Sequence, residues 1–151
     1  MTSTGSIFNP NDGHRELKWM YPAALANVEQ VCSAADQVLD EYSLQRGDRF
    51  AVELLLRESL NNAVVHGCNL DSHLFFSCRM MISNREITIE VSDDGTGFDW
   101  HSKPEIPPDH LGESGRGLTI YAIYAHSISY NETGNCVTLT RTFNYQGDKN
   151  D

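Results

Sequence analysis

The sequence lacks the features that mark membrane, secreted or metal-stabilised proteins. No apolar run approaches the roughly 20 residues that a membrane-spanning helix requires. The N-terminus has neither the basic nor the apolar segment of a signal peptide. The four cysteines are scattered and form no CxxC pair or Cys/His ligand spacing, which argues against structural zinc. These absences predict a cytoplasmic protein with reduced, mostly buried thiols.

Positive charge is also scarce. The chain has 11 lysines and arginines against 21 aspartates and glutamates, for a formal net charge of −10. Nucleic-acid binding requires clustered cationic side chains that neutralise phosphates, so direct binding to DNA or RNA is not expected. An acidic surface favours basic protein partners, although the same charge also serves plain solubility.

The hydrophobic pattern indicates one domain with loose ends. A chain of 151 residues can bury a core without disulfides or metals, and this one contains no internal repeat. We expect flexible tails over residues 1–13 and 146–151, which are rich in polar residues. The folded domain should therefore span residues 14–145.

Within that domain, alternation and helical periodicity predict the element order β-α-α-β-β-loop-α-β-β. Pro22 suits the first turn of the first helix, Asp48 suits the N-cap of the second, and Gly67 suits its end. This order predicts an α+β fold, a two-layer α/β sandwich with helices on one face of a mixed, mainly antiparallel sheet. The strands are expected over residues 14–21, 73–82, 85–93, 126–130 and 136–143, and the helices over residues 22–42, 48–67 and 118–125.

The second helix carries two polar groups that suit a ligand site. Glu58 and Asn62 are four residues apart in the stretch RESLNNAVVHG, so on a helix they share one face. Asn61 lies about 100° away from Asn62 around the axis. An ordinary solvated helix face has the same spacing. His66 has two interpretations as well, a contact with a pocket or a bond to a neighbouring carbonyl.

Two glycine-rich segments follow. Asp93, Gly95 and Gly97 form a D-x-G-x-G turn after a strand, where glycine permits positive φ and aspartate offers a fixed acceptor to an amino group. Residues 112–119, GESGRGLT, open a helix whose free N–H groups suit an anion. A tight turn with solvated aspartates and a glycine-tolerant helix start are the structural alternatives. The fixed order of all three segments favours a shared site.

In this order the segments resemble those of the GHKL, or Bergerat-fold, ATPases, in which they form the nucleotide pocket. The stretches RESLNNAVVHG, VSDDGTGFD and GESGRGLTIYAIYAHSISY are most similar to the anti-sigma factor serine/threonine kinases, a family of bacterial switch kinases. The resemblance covers about residues 15–143. It implies a Bergerat-type sandwich that binds ATP and Mg²⁺.

The resemblance also implies a role for each matching position. Asn62 would bind Mg²⁺ through its side-chain oxygen, and Asp93 would accept a hydrogen bond from the adenine amino group. Glu58 would be the catalytic base, and an ionised carboxylate suffices to accept the proton of an attacking hydroxyl. The remaining ATP-binding positions close around the base and ribose or wrap the phosphates, and they are Gly95, Gly97, Gly115, Arg116, Gly117 and Leu118.

Some positions depart from the family pattern or stay open. Many members have Gly-Thr before the last strand, with the threonine near adenine, whereas this chain has Gly134 and Asn135. The segment between Trp100 and Leu111 is a short lid compared with that of gyrase or Hsp90, which argues against a chaperone-like clamp. Arg116 suits either the γ-phosphate or a solvated helix start.

The resemblance thus implies an ATP-dependent protein serine/threonine kinase of a bacterial partner-switching system. Its substrate would be a STAS-domain anti-anti-sigma protein, and a sigma factor would be a second partner. Family members often form homodimers. Alternatives are a kinase that controls a phosphatase or secretion system without binding sigma, and a non-catalytic ATP-binding adaptor, against which Glu58 argues. A detached histidine-kinase catalytic domain is disfavoured because the chain has no room for a phosphoacceptor hairpin.

Overall fold

The computed structural model describes residues 5–9, 14–97 and 119–143. Among these residues, no helix is long and apolar enough to cross a lipid bilayer. The strands are β1 (Gly5–Asn9), β2 (His14–Pro22), β3 (Phe75–Ile82), β4 (Glu86–Asp93), β5 (Ser127–Tyr130) and β6 (Cys136–Thr142). The helices are α1 (Leu25–Leu39), α2 (Arg46–Asn61) with a π-helical turn after it (Asn62–Gly67), and α3, described over residues 119–124.

One antiparallel sheet carries the fold. Its strand order is β1-β2-β3-β4-β6-β5, and each neighbouring pair runs antiparallel. Side chains alternate between buried and accessible along β3 and β4, so every second residue faces the helices. The α+β sandwich predicted from the sequence is confirmed. The largest fully buried side chains of its core include Leu39, Leu55, Leu60, Phe76, Met80, Ile87, Ile89 and Leu139.

The N-terminal segment and the start of the first helix differ from the sequence prediction. Residues 5–9, for which the polar composition predicts a flexible tail, form β1 and pair with residues 14–18 of β2. A free edge of β2 offers backbone donors and acceptors to any extended segment, so polar composition does not prevent pairing. Pro22 ends β2 instead of starting α1, which begins at Leu25. Because β1 does not reach Pro22, the missing N–H of proline interrupts no bond to that strand.

Asp48 is not the N-cap of α2, contrary to the prediction. The N-cap is Gln45, and Asp48 lies in the first turn with only 2% of its surface exposed. Its Oδ1 accepts hydrogen bonds from Nε and Nη2 of Arg141 at 3.1 and 2.9 Å. Nη1 of Arg141 donates to the carbonyl of Tyr124 at 2.8 Å. One guanidinium therefore joins the start of α2, the end of α3 and β6.

We expect the Arg141→Met variant to lose about 3 kcal/mol in the free energy of unfolding, because it removes the guanidinium that pairs with the buried Asp48 carboxylate. Urea unfolding followed by circular dichroism measures this loss. The control Arg57→Met removes a more exposed arginine, which pairs with Glu29, and should cost less than about 1 kcal/mol. Equal losses in the two variants would contradict the importance of the buried pair.

Candidate active site

A cavity opens where the C-terminal end of α2 meets the end of β4 and the start of β6. Its volume is about 190 Å³, more than ten times the roughly 15 Å³ that a single water needs. Residues from the π-helical turn, β4, β5, α3 and the turn before β6 line it. The cavity is therefore large enough for part of an organic ligand and is built from segments distant in sequence.

The π-helical turn shapes one wall of this cavity. Within it, the N–H of Cys68 donates to the carbonyl of Ala63 at 2.8 Å, a bond that spans five residues instead of four. Turns of this kind are rare and occur frequently at functional sites. Four of the six residues of Asn62–Gly67 line the cavity, among them Asn62 and the exposed His66. The sequence predicts an ordinary α-helix here, because apolar spacing over so few residues does not reveal the wider turn.

Asp93 at the end of β4 is packed between two glycines. Its Oδ1 accepts a hydrogen bond from the N–H of Gly95 at 2.8 Å. A Cβ at Gly67 would lie 2.3 Å from Oδ2 of Asp93, and a Cβ at Gly95 would lie 2.0 Å from the carbonyl oxygen of Gly67. Neither position can therefore hold a side chain without displacing its neighbours.

The charge state of Asp93 reflects this packing. Burial raises the pKa of its carboxyl above the ordinary value for aspartate. The N–H of Gly95 opposes that change, and the neighbouring charge of Asp94 adds to it. A half-buried carboxylate in a cavity is an acceptor ready for a ligand's N–H group.

Hydrogen bonds hold the D-x-G-x-G turn against the turn before β6. Nδ2 of Asn135 donates to the carbonyl of Asp93 at 3.1 Å, and the N–H of Asp93 donates to the carbonyl of Asn135 at 3.0 Å. Gly97 has a φ of +87°, and a Cβ there would lie 1.9 Å from the carbonyl oxygen of Thr133. Asn135, whose role the sequence left open, thus holds the backbone of the aspartate turn.

A side-chain bond to α3 orients Asn62. Its Nδ2 donates to the hydroxyl of Tyr121 at 3.0 Å, and Tyr121 is only 3% exposed. Within the described residues, Oδ1 of Asn62 accepts no hydrogen bond, and the Glu58 carboxylate has no hydrogen-bond or ion-pair partner. No described residue therefore competes with a ligand for either group.

The Tyr121 hydroxyl lies in a protected environment. Burial raises the pKa of this hydroxyl, the bond from Asn62 lowers it, and the charges of Tyr130 and Glu58 raise it further. Glu58 itself does not line the cavity and lies one helical turn before Asn62.

The remaining walls are mostly apolar. Val91 and Val137 come from adjacent strands, and Tyr130 adds an aromatic ring whose burial raises the pKa of its hydroxyl to about 12. Apolar walls with a few fixed polar groups are typical of ligand sites. The sequence does not predict Tyr121 or Tyr130 as site residues, because the apolar pattern around both residues is equally typical of a protein core.

The predicted site residues fall into three groups. Asn62, Asp93 and Gly97 line the cavity, whereas Gly95 packs beside Asp93. Glu58 lies one helical turn before Asn62, outside the lining. The predicted lid between Trp100 and Leu111 and the predicted phosphate segment lie outside the described residues, and that segment comprises Gly115, Arg116, Gly117 and Leu118.

The metal-binding atoms of the described residues would suffice for Mg²⁺ only if the phosphates of a bound ligand supplied further oxygens. In the described part of the chain, no group of three or more His, Cys, Asp or Glu side chains is arranged to hold a metal ion. Asn62 offers one oxygen that accepts no hydrogen bond from any described residue. Mg²⁺ commonly binds through one or two protein groups, several waters and substrate phosphates, so a single oxygen is compatible with such a site.

The chain is similar to known ATPase-domain proteins. A family model described as a histidine kinase-like ATPase domain matches residues 21–141. An anti-sigma F factor of Clostridium acetobutylicum is 30% identical over 110 residues, which cover 70% of this chain and 71% of that protein. An anti-sigma F factor of Clostridium botulinum is 25% identical over 130 residues, which cover 81% of this chain and 82% of that protein.

The family-model match contains the cavity. Residues 21–141 include every residue described above as lining it, from the π-helical turn to the start of β6. An ATPase domain implies that the chain binds ATP. The chain therefore belongs to the histidine kinase-like ATPase domain family, and within it to the anti-sigma factor kinases of the GHKL superfamily.

Proposed function

We propose that the protein is an ATP-dependent serine/threonine kinase that phosphorylates a STAS-domain anti-anti-sigma protein in a bacterial partner-switching system. The proposal is supported by the carboxylate of Glu58, which lies one helical turn from Asn62 and has no hydrogen-bond or ion-pair partner among the described residues. A domain that only binds nucleotide has no need for a carboxylate at this place.

Different groups of residues would bind the adenine ring, the phosphates and the metal ion of Mg·ATP. The adenine ring would lie against the apolar walls, and Asp93 would accept a hydrogen bond from its amino group. Residues 115–118 would bind the phosphates through backbone N–H groups. Asn62 would hold Mg²⁺ through Oδ1, and the bound ion would neutralise phosphate charge.

Glu58 would then act on the protein substrate. The hydroxyl oxygen of a serine or threonine attacks the γ-phosphorus and forms a new O–P bond. The bond between the γ-phosphorus and the β,γ-bridging oxygen breaks, and ADP leaves with that oxygen. The Glu58 carboxylate accepts the hydroxyl proton, which a neutral serine must lose during the transfer.

The similar proteins support the choice of partners. Both are named anti-sigma F factors, so a sigma factor is a natural second partner for this chain. The net charge of −10 suits a basic surface on that partner. The phosphorylated antagonist would release the kinase, which would then sequester the sigma factor. With these partners, the reaction would take place in the cytoplasm.

The role of Glu58 is tested by incubating purified protein with radiolabelled ATP, Mg²⁺ and the STAS protein encoded beside its gene. We expect Glu58→Gln to reduce phosphate transfer about 100-fold, because the amide cannot accept the proton. ATP affinity should change less than about twofold, since the substitution removes no proposed contact with the nucleotide.

The matched control is Glu53→Gln, the same change on the same helix, at a residue that pairs with Arg49. It should leave transfer near the wild-type rate. Undiminished transfer in Glu58→Gln would exclude Glu58 as the base. Absence of transfer in the wild-type protein, with ATP bound normally, would favour the adaptor function instead.

The raised pKa of Asp93 predicts how ATP affinity depends on pH. The ionised carboxylate is the acceptor for adenine, and burial makes it take up a proton at a higher pH than an ordinary aspartate. ATP affinity, measured by calorimetry, should therefore already fall above the usual aspartate range as the pH is lowered. Affinity that stays constant down to the usual aspartate range would contradict this role.

Asp93→Asn separates binding from stability. The variant should bind ATP at least about tenfold more weakly, because an amide N–H₂ group would face the adenine amino group. Its thermal unfolding midpoint at neutral pH should equal or exceed that of the wild type, because the charge that burial disfavours is gone. This difference should shrink as the pH falls and wild-type Asp93 becomes protonated. A clearly lower midpoint would show that the carboxylate stabilises the fold.

A further inference from the structure

The hydrogen bond between Asn62 and Tyr121 joins two elements at the edge of the cavity. Asn62 begins the π-helical turn, and Tyr121 lies in α3, 59 residues later in the chain. The bond is 3.0 Å long, and Tyr121 is 3% exposed. A neutral bond in such a protected place can fix a side-chain orientation that solvent would otherwise leave free.

The orientation matters because the two ends of an amide are chemically opposite. The oxygen can bind a cation, whereas the N–H₂ group carries positive partial charge and repels one. A rotation of about 180° around the last side-chain bond exchanges them. With Nδ2 held by Tyr121, Oδ1 of Asn62 is the end left for a ligand.

From this geometry we propose that Tyr121 is a positioning residue that holds the Asn62 oxygen toward the Mg²⁺ of bound Mg·ATP. The proposal rests on the proposed function, in which Asn62 holds that ion. Tyr121 itself would contact neither the metal nor the reacting phosphate. Its contribution is to fix the amide before the nucleotide arrives, as residues behind metal ligands commonly do.

The test is an equilibrium measurement of ATP affinity by calorimetry, with Mg²⁺ and with EDTA. Tyr121→Phe keeps the buried ring and removes only the hydroxyl. We expect the gain in affinity due to Mg²⁺ to fall about tenfold, as for other residues that orient metal ligands. Affinity in EDTA should stay near the wild-type value, whereas general damage to the cavity would lower both.

Tyr124→Phe is the matched control. It removes a hydroxyl from the same helix, at a ring that packs edge-on against Phe50 outside the cavity. It should bind Mg·ATP like the wild type. An equal reduction in Tyr124→Phe would assign the effect to α3 as a whole and overturn the proposal.

A double-mutant cycle isolates the Asn62–Tyr121 pair. In an Asn62→Ala background, Tyr121→Phe should have no further effect on the Mg²⁺-dependent gain. Independent, additive losses would overturn the proposal, and so would tighter Mg²⁺ binding in Tyr121→Phe, which would mean that Tyr121 donates to the Asn62 oxygen. If Asn62→Ala lowers the gain and Tyr121→Phe does not, the positioning role fails while the metal role of Asn62 stands. If the wild type shows no gain from Mg²⁺, both fail.

Discussion

The cavity depends on the close approach of Gly67 to Asp93 and Gly95. This contact brings the end of the long helix against the end of a central strand, with less space between them than a single Cβ requires. The π-helical turn before Gly67 and the aspartate turn after β4 meet at this point. A side chain at either glycine would push the two ends apart and separate Asp93 from Asn62, the proposed adenine acceptor and the proposed metal ligand. The geometry of the site is therefore set by backbone packing before any ligand binds.

Two asparagine side chains near this contact make different kinds of hydrogen bond. Asn135 uses its amide to hold the backbone of the aspartate turn, so its side chain serves the fold. Asn62 has its nitrogen engaged by Tyr121, and its oxygen accepts no hydrogen bond among the described residues, which suits the ligand role that we propose for it. Asp93 is half-buried, and burial raises the pKa of its carboxyl.

Local patterns were enough to predict much of this from the sequence. Backbone geometry over a few residues is enough to predict that side chains alternate in burial along β3 and β4. It is also enough to predict that Glu58 and Asn62, four residues apart, share one face of a helix. The D-x-G-x-G turn is equally local. The bond of Tyr121 to Asn62 and the ion pair of Asp48 with Arg141 join residues 59 and 93 positions apart, and no local pattern announces such contacts. The sequence alone therefore predicts Asp48 to be a helix cap, whereas the fold pairs it with Arg141.

We propose that Asp93 and Asn62 bind the two ends of one Mg·ATP molecule. A crystal structure with a non-hydrolysable ATP analogue and Mn²⁺ in place of Mg²⁺ tests this arrangement most directly, because Mn²⁺ is located by its anomalous scattering. We expect an Mn²⁺ peak beside Oδ1 of Asn62 and the adenine amino group within hydrogen-bond distance of the Asp93 carboxylate. An Mn²⁺ peak away from Asn62, or adenine bound without contact to Asp93, would contradict it.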